Sequence, residues 1–452
     1  MTEIVRKKLS DSKAARWTAL AVVSLTMMCA YFLSDCMAPL EDLLVNELNW
    51  TSTEYGFLSG AYSYFNVFLL MLIIGGLILD KKGVRFTGKM ACLIMIAGAS
   101  IKFYAISPFF PLGGVLFGMN SQVVVAIIGF ATFGVGAEIA GITVSKVIVK
   151  WFTGHELALA MGLQLAVARL GTAMALSFAL PLARHFNEFI AAPLLLGLVV
   201  LCIGAIAYFL YCTMDKKLDE SAAAINDEEE SFKFSDVKLV LTNKGFWLIA
   251  ILCVLFYSSV FPFLKFAVRM MIYKYGVEPE LAGFIPSLLP IGTIFLTPLF
   301  GTIYDRIGKG ASLMIIGSFM LVLVHLMFAM PFLNVWWFAT INMLVLGVAF
   351  SLVPSAMWPS LPKIVPLQLL GTAYSLVFYV QNIGLALVPI LIGWTVDRFT
   401  QTVLPDGTIA YNYTVPMLVS VCFSSLACVF ALWLKAEDKK KGYGLQQANI
   451  KK

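Results

Sequence analysis

Twelve stretches of this chain are apolar over twenty residues or more, and no other feature limits its fold as much. They lie at about 17–40, 55–79, 88–107, 122–145, 157–183, 190–212, 246–268, 281–303, 311–331, 335–358, 370–396 and 414–434. A helix needs roughly 20 mainly apolar residues to cross a bilayer, so each stretch is long enough to span. The expected fold class is an all-α membrane protein of twelve transmembrane helices. Composition leads to the same place. The chain is 60% hydrophobic and only 13% charged, whereas a soluble protein keeps about a quarter of its residues charged. Lys102 in the third stretch and His325 in the ninth are polar exceptions, and for His325 a structural role is expected.

Basic residues orient the spans. With the N-terminus inside, the inner segments take Lys81, Lys82, Arg85, Lys146, Lys150, Arg306, Lys309, Lys363 and both basic termini. The outer side takes Lys102, Arg184, Lys265, Arg269, Lys274 and Arg398, a ratio of about four to one in favour of cytoplasmic termini. The net charge of +6 is therefore a topology signal and gives no reason to invoke nucleic acid. The polar, basic start followed by a full-length apolar run does not read as a cleavable signal peptide. The 8 cysteines lie in or beside apolar stretches without metal-site spacing, so they read as small hydrophobes.

The chain reads as two halves. A polar, charged stretch divides it into residues 1–212, a linker at 213–245, and residues 246–452, with six spans on either side. Residues 76–83, GLILDKKG, and 301–308, GTIYDRIG, share the form G-x-x-x-D-[KR]-x-G at equivalent inner ends. Such a match in both halves points to an internal repeat. Gly76 and Gly301 are expected to let helices approach closely. Asp80, Arg85, Asp305 and Arg306 are expected to gate the inner mouth through contacts with the facing bundle; the competing reading is that these charges only fix topology. The six-plus-six arrangement and the repeated loop motif resemble the major facilitator superfamily. That resemblance implies two six-helix bundles around a central space, lined by the first and fourth helices of each half.

Residues 162–176, GLQLAVARLGTAMAL, place Arg169 inside an apolar run. A charge at bilayer centre costs at least ~2.5–3.5 kcal/mol and needs a partner or an inward-facing position. Glu138, in the neighbouring stretch GVGAEIAGITVSK, is the candidate partner. Glu138 lies roughly 12 Å in from Lys146, and Arg169 roughly 18 Å in from Leu157, at ~1.5 Å per residue. The pair reads either as a structural salt bridge or as a site where a ligand competes. A carboxylate suits Arg169 and an ammonium suits Glu138, so a zwitterion such as a small peptide suits both. Residues 134–171, together with AYFLSD (30–35), YSYFN (62–66), VFPF (260–263), MWPSLPKIVP (357–366) and LGTAYSLVFYVQNIGLAL (370–387), resemble the branch of the superfamily that includes the lysosomal dipeptide transporter. The resemblance implies that Glu138 and Arg169 hold the peptide termini. Asp35, Tyr62, Asn66, Trp358, Gln381 and Asn382 are further candidates for the binding site, each weighed against packing. Asp35 has no obvious basic partner in the sequence, and Lys265 reads as a gate or snorkelling residue.

The expected function is a secondary transporter that moves small zwitterionic solutes, above all dipeptides, by alternating access and down their gradient. The alternative is a carrier of a monocarboxylate or dicarboxylate, with proton coupling; a membrane sensor on the same fold is a remote third. No H-E-x-x-H or G-x-S-x-G motif is present, and no enzyme activity, cofactor or metal is expected. The expected partners are the small-molecule substrate and the lipid bilayer, with no call for a protein partner. The cytoplasmic segments carry no acidic-dileucine signal, which favours a bacterial inner membrane over a lysosomal one. The sequons at Asn49 and Asn412 are expected to be unused.

Overall fold

The computed structural model describes residues 9–111, 113–152, 157–222, 238, 240–365, 370–403 and 409–448; the Asp80 side chain is outside that description. The first half contains α1 (Lys13–Asp35), α2 (Glu41–Leu48), α3 (Ser52–Ala61), α4 (Tyr64–Phe68), α5 (Met71–Ile106), α6 (Ser121–Phe152), α7 (Leu157–His185) and α8 (Ala192–Ala222). The second contains α9 (Lys244–Tyr273), α10 (Pro279–Ala282), α11 (Phe284–Ile307), α12 (Gly310–Ala329), α13 (Trp336–Ile364), α14 (Leu370–Phe399) and α15 (Thr414–Lys441). Two small antiparallel hairpins join helices. β1 (Val115–Leu116) pairs with β2 (Met119–Asn120), and β3 (Gln401–Val403) pairs with β4 (Ile409–Tyr411).

Each half buries its own apolar core. One core gathers residues of α1–α8, and the other gathers residues of α9–α15. Few side chains cross: Phe266, Val388, Ile392 and Val396 join the first core, while Ala38 and Leu176 join the second. Two bundles with separate cores can rock against each other without unpacking either one.

Among the described residues, 11 helices are long and apolar enough to span. The remaining expected span, 55–79, is broken into α3, α4 and the start of α5. Leu70, at the second break, has a left-handed backbone (φ 54). No glycine or proline stands between Ala61 and Ile74 to signal this. At the first break, between α3 and α4, side-chain groups satisfy the backbone. The Asn66 amide donates to Tyr62 O at 3.5 Å and Gly134 O at 3.2 Å. Irregular backbone at membrane depth is tolerated where protein covers it or a cavity is lined by it.

Two boundaries differ from the sequence reading. α1 ends at Asp35, before a turn at Ala38–Leu40, whereas the span was expected to reach residue 40. α8 runs on to Ala222, ten residues past the expected end at 212. This extension carries Asp215 and Asp219 to the first half's inner loop. Arg85 lies 3.0 Å from Asp219, and Lys150 lies 2.8 Å from Asp215 and 2.6 Å from Asp219. Ion pairing therefore pulls the start of a polar stretch into helix. Gly76 and Gly301 are not closely packed in this state: no atom outside their own helix backbone lies within 4 Å of where a Cβ would stand on either.

Candidate transport site

Arg169, on α7, lies at mid-span and points toward the second half. Its guanidinium sits over three rings, at 5.6 Å from Tyr31 of α1, 5.3 Å from Phe261 of α9 and 5.9 Å from Phe350 of α13. Glu138, on α6, lies beside the Tyr62 phenol, within its electrostatic reach. Both charged side chains are partly exposed. Among the described residues no ion pair joins them, which corrects the expected direct salt bridge. Aromatic faces and a phenol occupy the two charges instead. Tyr31 lies within electrostatic reach of Arg169, Glu138 and Asp35, so it marks the ground between them.

The second half supplies an uncharged aromatic wall. Tyr257 stacks on Phe261 at 5.3 Å, and Phe261 meets Phe350 edge-on at 5.6 Å. The Trp358 indole donates to the Tyr257 hydroxyl at 3.3 Å and stacks on Phe378 at 4.9 Å. Opposite charges thus stand on one half and aromatic faces on the other. This arrangement can hold a cationic end, an anionic end and an apolar side chain together. Tyr31, Tyr257, Phe261 and Phe350 escaped the candidate set. Tyr31 and Phe261 had one signal, their place in the AYFLSD and VFPF blocks; Tyr257 and Phe350 lie outside both.

Other candidates fall elsewhere. Gln381 and Asn382 are buried and engaged in hydrogen bonds of their own. Cys253 donates to Gln381 Oε1 at 3.7 Å, and Ser63 donates to Asn382 Oδ1 at 2.7 Å. Asn382 therefore ties α14 to the break in the second span. Asn66 is buried in that same break and supports the Tyr62 backbone.

Asp35 has a basic partner after all. Lys265 of the second half lies 2.5 Å away, and Thr172 donates to the other carboxylate oxygen at 2.7 Å. Nearby, buried Arg269 reaches Glu41 at 3.2 Å and Ser52 Oγ at 2.6 Å, and Tyr273 donates to Asp42 at 2.5 Å. Asp397, at the end of α14, accepts from Ser52 N at 2.7 Å and Thr53 N at 2.6 Å, at the first turn of α3. Arg184 meets Glu280 at 2.8 Å. Apart from the Thr172 bond, which lies within the first half, these contacts join the two halves on the face away from the chain termini, the outer face if the termini are cytoplasmic as expected. Helices touch closely there: a Cβ on Gly60 would stand 2.2 Å from Ala386 O, and one on Gly393 would stand 2.2 Å from Ser52 O. Asp397 was missed, although residues 393–398, GWTVDR, repeat the G-x-x-x-D-[KR] form of the inner loops.

Toward the inner face the halves part. Among the described residues, the innermost hydrogen bonds between them are Ser63 to Asn382 and Tyr379 to Val67 O. Beyond these, Phe68, Leu69 and Leu70 are exposed. Of the expected inner gate, the Asp80 side chain lies outside the described residues. Arg85 is held within its own half, and Arg306 is exposed. Among the described residues, the halves are joined on the face away from the termini and part on the face that carries them.

The family model described as Major Facilitator Superfamily matches residues 23–389 and 266–449. The chain is 31% identical over 442 residues to the mouse (Mus musculus) protein named lysosomal dipeptide transporter MFSD1, covering 94% of this chain and 89% of that one. It is 30% identical over 391 residues to the zebrafish (Danio rerio) protein of the same name, covering 83% and 80%. Among solved structures it resembles a bacterial homologue of the human lysosomal transporter Spinster, in an inward-facing, unoccupied conformation. That match has a TM-score of 0.70 at 14% identity and covers 95% of this chain and 98% of the other. The nucleoside transporter NupG gives a TM-score of 0.65 at 16% identity, over 93% and 99%. At such identities the structural likeness speaks for the fold.

Proposed function

The chain belongs to the Major Facilitator Superfamily, and we propose that it carries small zwitterionic solutes, dipeptides first, across the membrane by facilitated movement. It is a multi-pass membrane transporter and not an enzyme. One observation carries the substrate reading: Arg169 and Glu138 share the central space without neutralising each other. Each charge is left for a ligand's opposite end. A carboxylate would draw a bidentate contact from Arg169, and an ammonium would meet Glu138 beside Tyr62. The aromatic wall of Tyr257, Phe261, Phe350 and Trp358 would take a side chain. A simple anion satisfies only Arg169 and meets repulsion from Glu138. The name carried by the relatives agrees with a dipeptide cargo.

Alternating access would follow from the two closures. The outer one is formed, and the inner one would form in the opposite state through Asp80, Arg85, Asp305 and Arg306. Movement down the gradient fits the acidic groups, because Asp35 is tied to Lys265 and Glu138 is committed to the ligand. The preponderance of basic residues puts both termini in the cytoplasm, and the expected home is a bacterial inner membrane; fractionation that finds the protein in an internal organelle would overturn that address.

The test is dipeptide uptake into liposomes holding purified Arg169→Ala protein. Loss of one charged hydrogen-bonding group costs ~1.5–3 kcal/mol, so affinity should fall about ten- to a hundredfold. Arg169→Lys should recover part of it. Unchanged uptake by Arg169→Ala would refute the assignment.

A further inference from the structure

The chain carries no charged residue between Lys102 and Glu138. Within that run, the outer loop from α5 to α6 turns its apolar side chains outward. Phe109 is 77% exposed, Val115 72% and Phe117 90%. Val115 and Leu116 are successive strand residues, so they point to opposite faces, and both are exposed. The first strand of the hairpin therefore rests neither face on the protein, while β2 is half-buried.

Its tip is also strained. Leu116 pairs with Met119, leaving Phe117 and Gly118 as the turn, with φ of 53 and 77. A two-residue turn with both φ positive favours Asn-Gly, because a side chain such as phenylalanine is disfavoured in the left-handed region. The chain nevertheless places there the most exposed aromatic residue among those described. Strain at one residue paired with an outward ring calls for something outside to receive the ring.

Position says what that is. The Phe110 ring meets Tyr104 at 5.5 Å, and Tyr104 is exposed on a spanning helix. The loop thus folds over a lipid-facing surface, away from the transport path. β2 ends one residue before α6. α6 has 32 residues, and a helix of that size spans roughly 48 Å, against ~40–45 Å for a bilayer with headgroups. The hairpin emerges at headgroup level. Its base is fixed to the second span: Asn120 N donates to Glu54 at 3.2 Å, and the Trp50 indole donates to Gln122 at 3.0 Å.

We propose that Phe109 and the 115–120 hairpin insert into the headgroup–acyl boundary of the outer leaflet and anchor the first half to lipid. A tip that is apolar on both faces and free of charge suits a fluid apolar medium, which closes around it; a partner protein would cover one face. The anchor lies on the half that carries Arg169 and Glu138, so the second half would move against a tethered frame.

Site-directed quenching tests this. Cys202, Cys422 and Cys428, the cysteines that are not buried, are first changed to serine. Phe117→Cys and, separately, Phe109→Cys are then labelled with a small fluorophore in phosphatidylcholine nanodiscs. Asn187→Cys, on another exposed outer loop, is the aqueous control. Headgroup-proximal nitroxide lipid should quench positions 117 and 109 several-fold more than position 187, and aqueous iodide several-fold less. Iodide quenching at 117 and 109 equal to that at 187 would overturn the proposal and assign the tip to water or a soluble partner. Either labelled position suffices if the other variant does not fold.

Discussion

Arg169 and Glu138 were legible at the level of single residues because a charge inside an apolar run is costly and so demands a reason. Their direct pairing was not legible. Sequence gives depth along a helix, but whether two side chains meet depends on what fills the space between, and here Tyr31 and Tyr62 intervene. The aromatic wall was hidden for a different reason. Spans in a chain with 35 phenylalanines and 16 tyrosines are full of rings, so four particular ones carry no mark. Because no ion pair joins Arg169 to Glu138, replacing either should leave the fold intact. Tyr62→Phe removes the hydroxyl beside Glu138 and keeps the ring. A neutral hydrogen bond contributes ~0.5–1.5 kcal/mol, so dipeptide affinity should drop about two- to tenfold. Saturation uptake reads this as a higher KM at unchanged protein yield; an unchanged KM would detach Tyr62 from the site.

Among the helices, length and hydropathy made the spans readable, while the break at Leu69–Leu70 left no trace. Breaks are usually marked by glycine or proline, and at the neighbouring break between α3 and α4 the support comes from Asn66 and Asn382, which are distant groups or ordinary polar residues by sequence. The outer closure was half readable. Lys265 stood out as a gate residue, but its partner Asp35 comes from the other half. Two variants of this closure have opposite chemistry and one expected direction. Gly60→Val puts a branched side chain where the α14 backbone already lies, so the outer face cannot shut. Asp397→Asn keeps the shape but removes a negative charge from the first turn of α3, an interaction that stabilises by ~0.3–1 kcal/mol. Ser59→Cys, buried in this state, should react with an external membrane-impermeant maleimide far faster in the Gly60→Val background and modestly faster with Asp397→Asn. Equal rates in all backgrounds would show that these contacts do not set the closure.

For the whole molecule, the two-bundle plan was readable because an internal repeat and a polar divider survive in the sequence, whereas its state was not. Which face is shut depends on contacts between halves that no local pattern encodes. The shut face is built for reversal. Arg269 and Glu41 are buried across it, yet Glu41 Oε2 and Arg269 Nε have no hydrogen-bond partner. Desolvation offsets much of the attraction in such a pair, and opening returns both groups to water. A carrier whose acidic groups are tied to a partner or a ligand has no obvious proton to move. A pH step across liposomes with equal dipeptide on both sides should therefore cause no net accumulation, and accumulation abolished by a protonophore would show coupling. The central claim is that one solute bridges both charges, and blocked dipeptides test it most directly. Labelled dipeptide is taken up by purified protein in liposomes against excess free, N-acetylated or C-amidated dipeptide. The account predicts that only the free form competes, because acetylation removes the partner of Glu138 and amidation removes the partner of Arg169. Full competition by the N-acetylated form would make the protein an anion carrier and contradict the account.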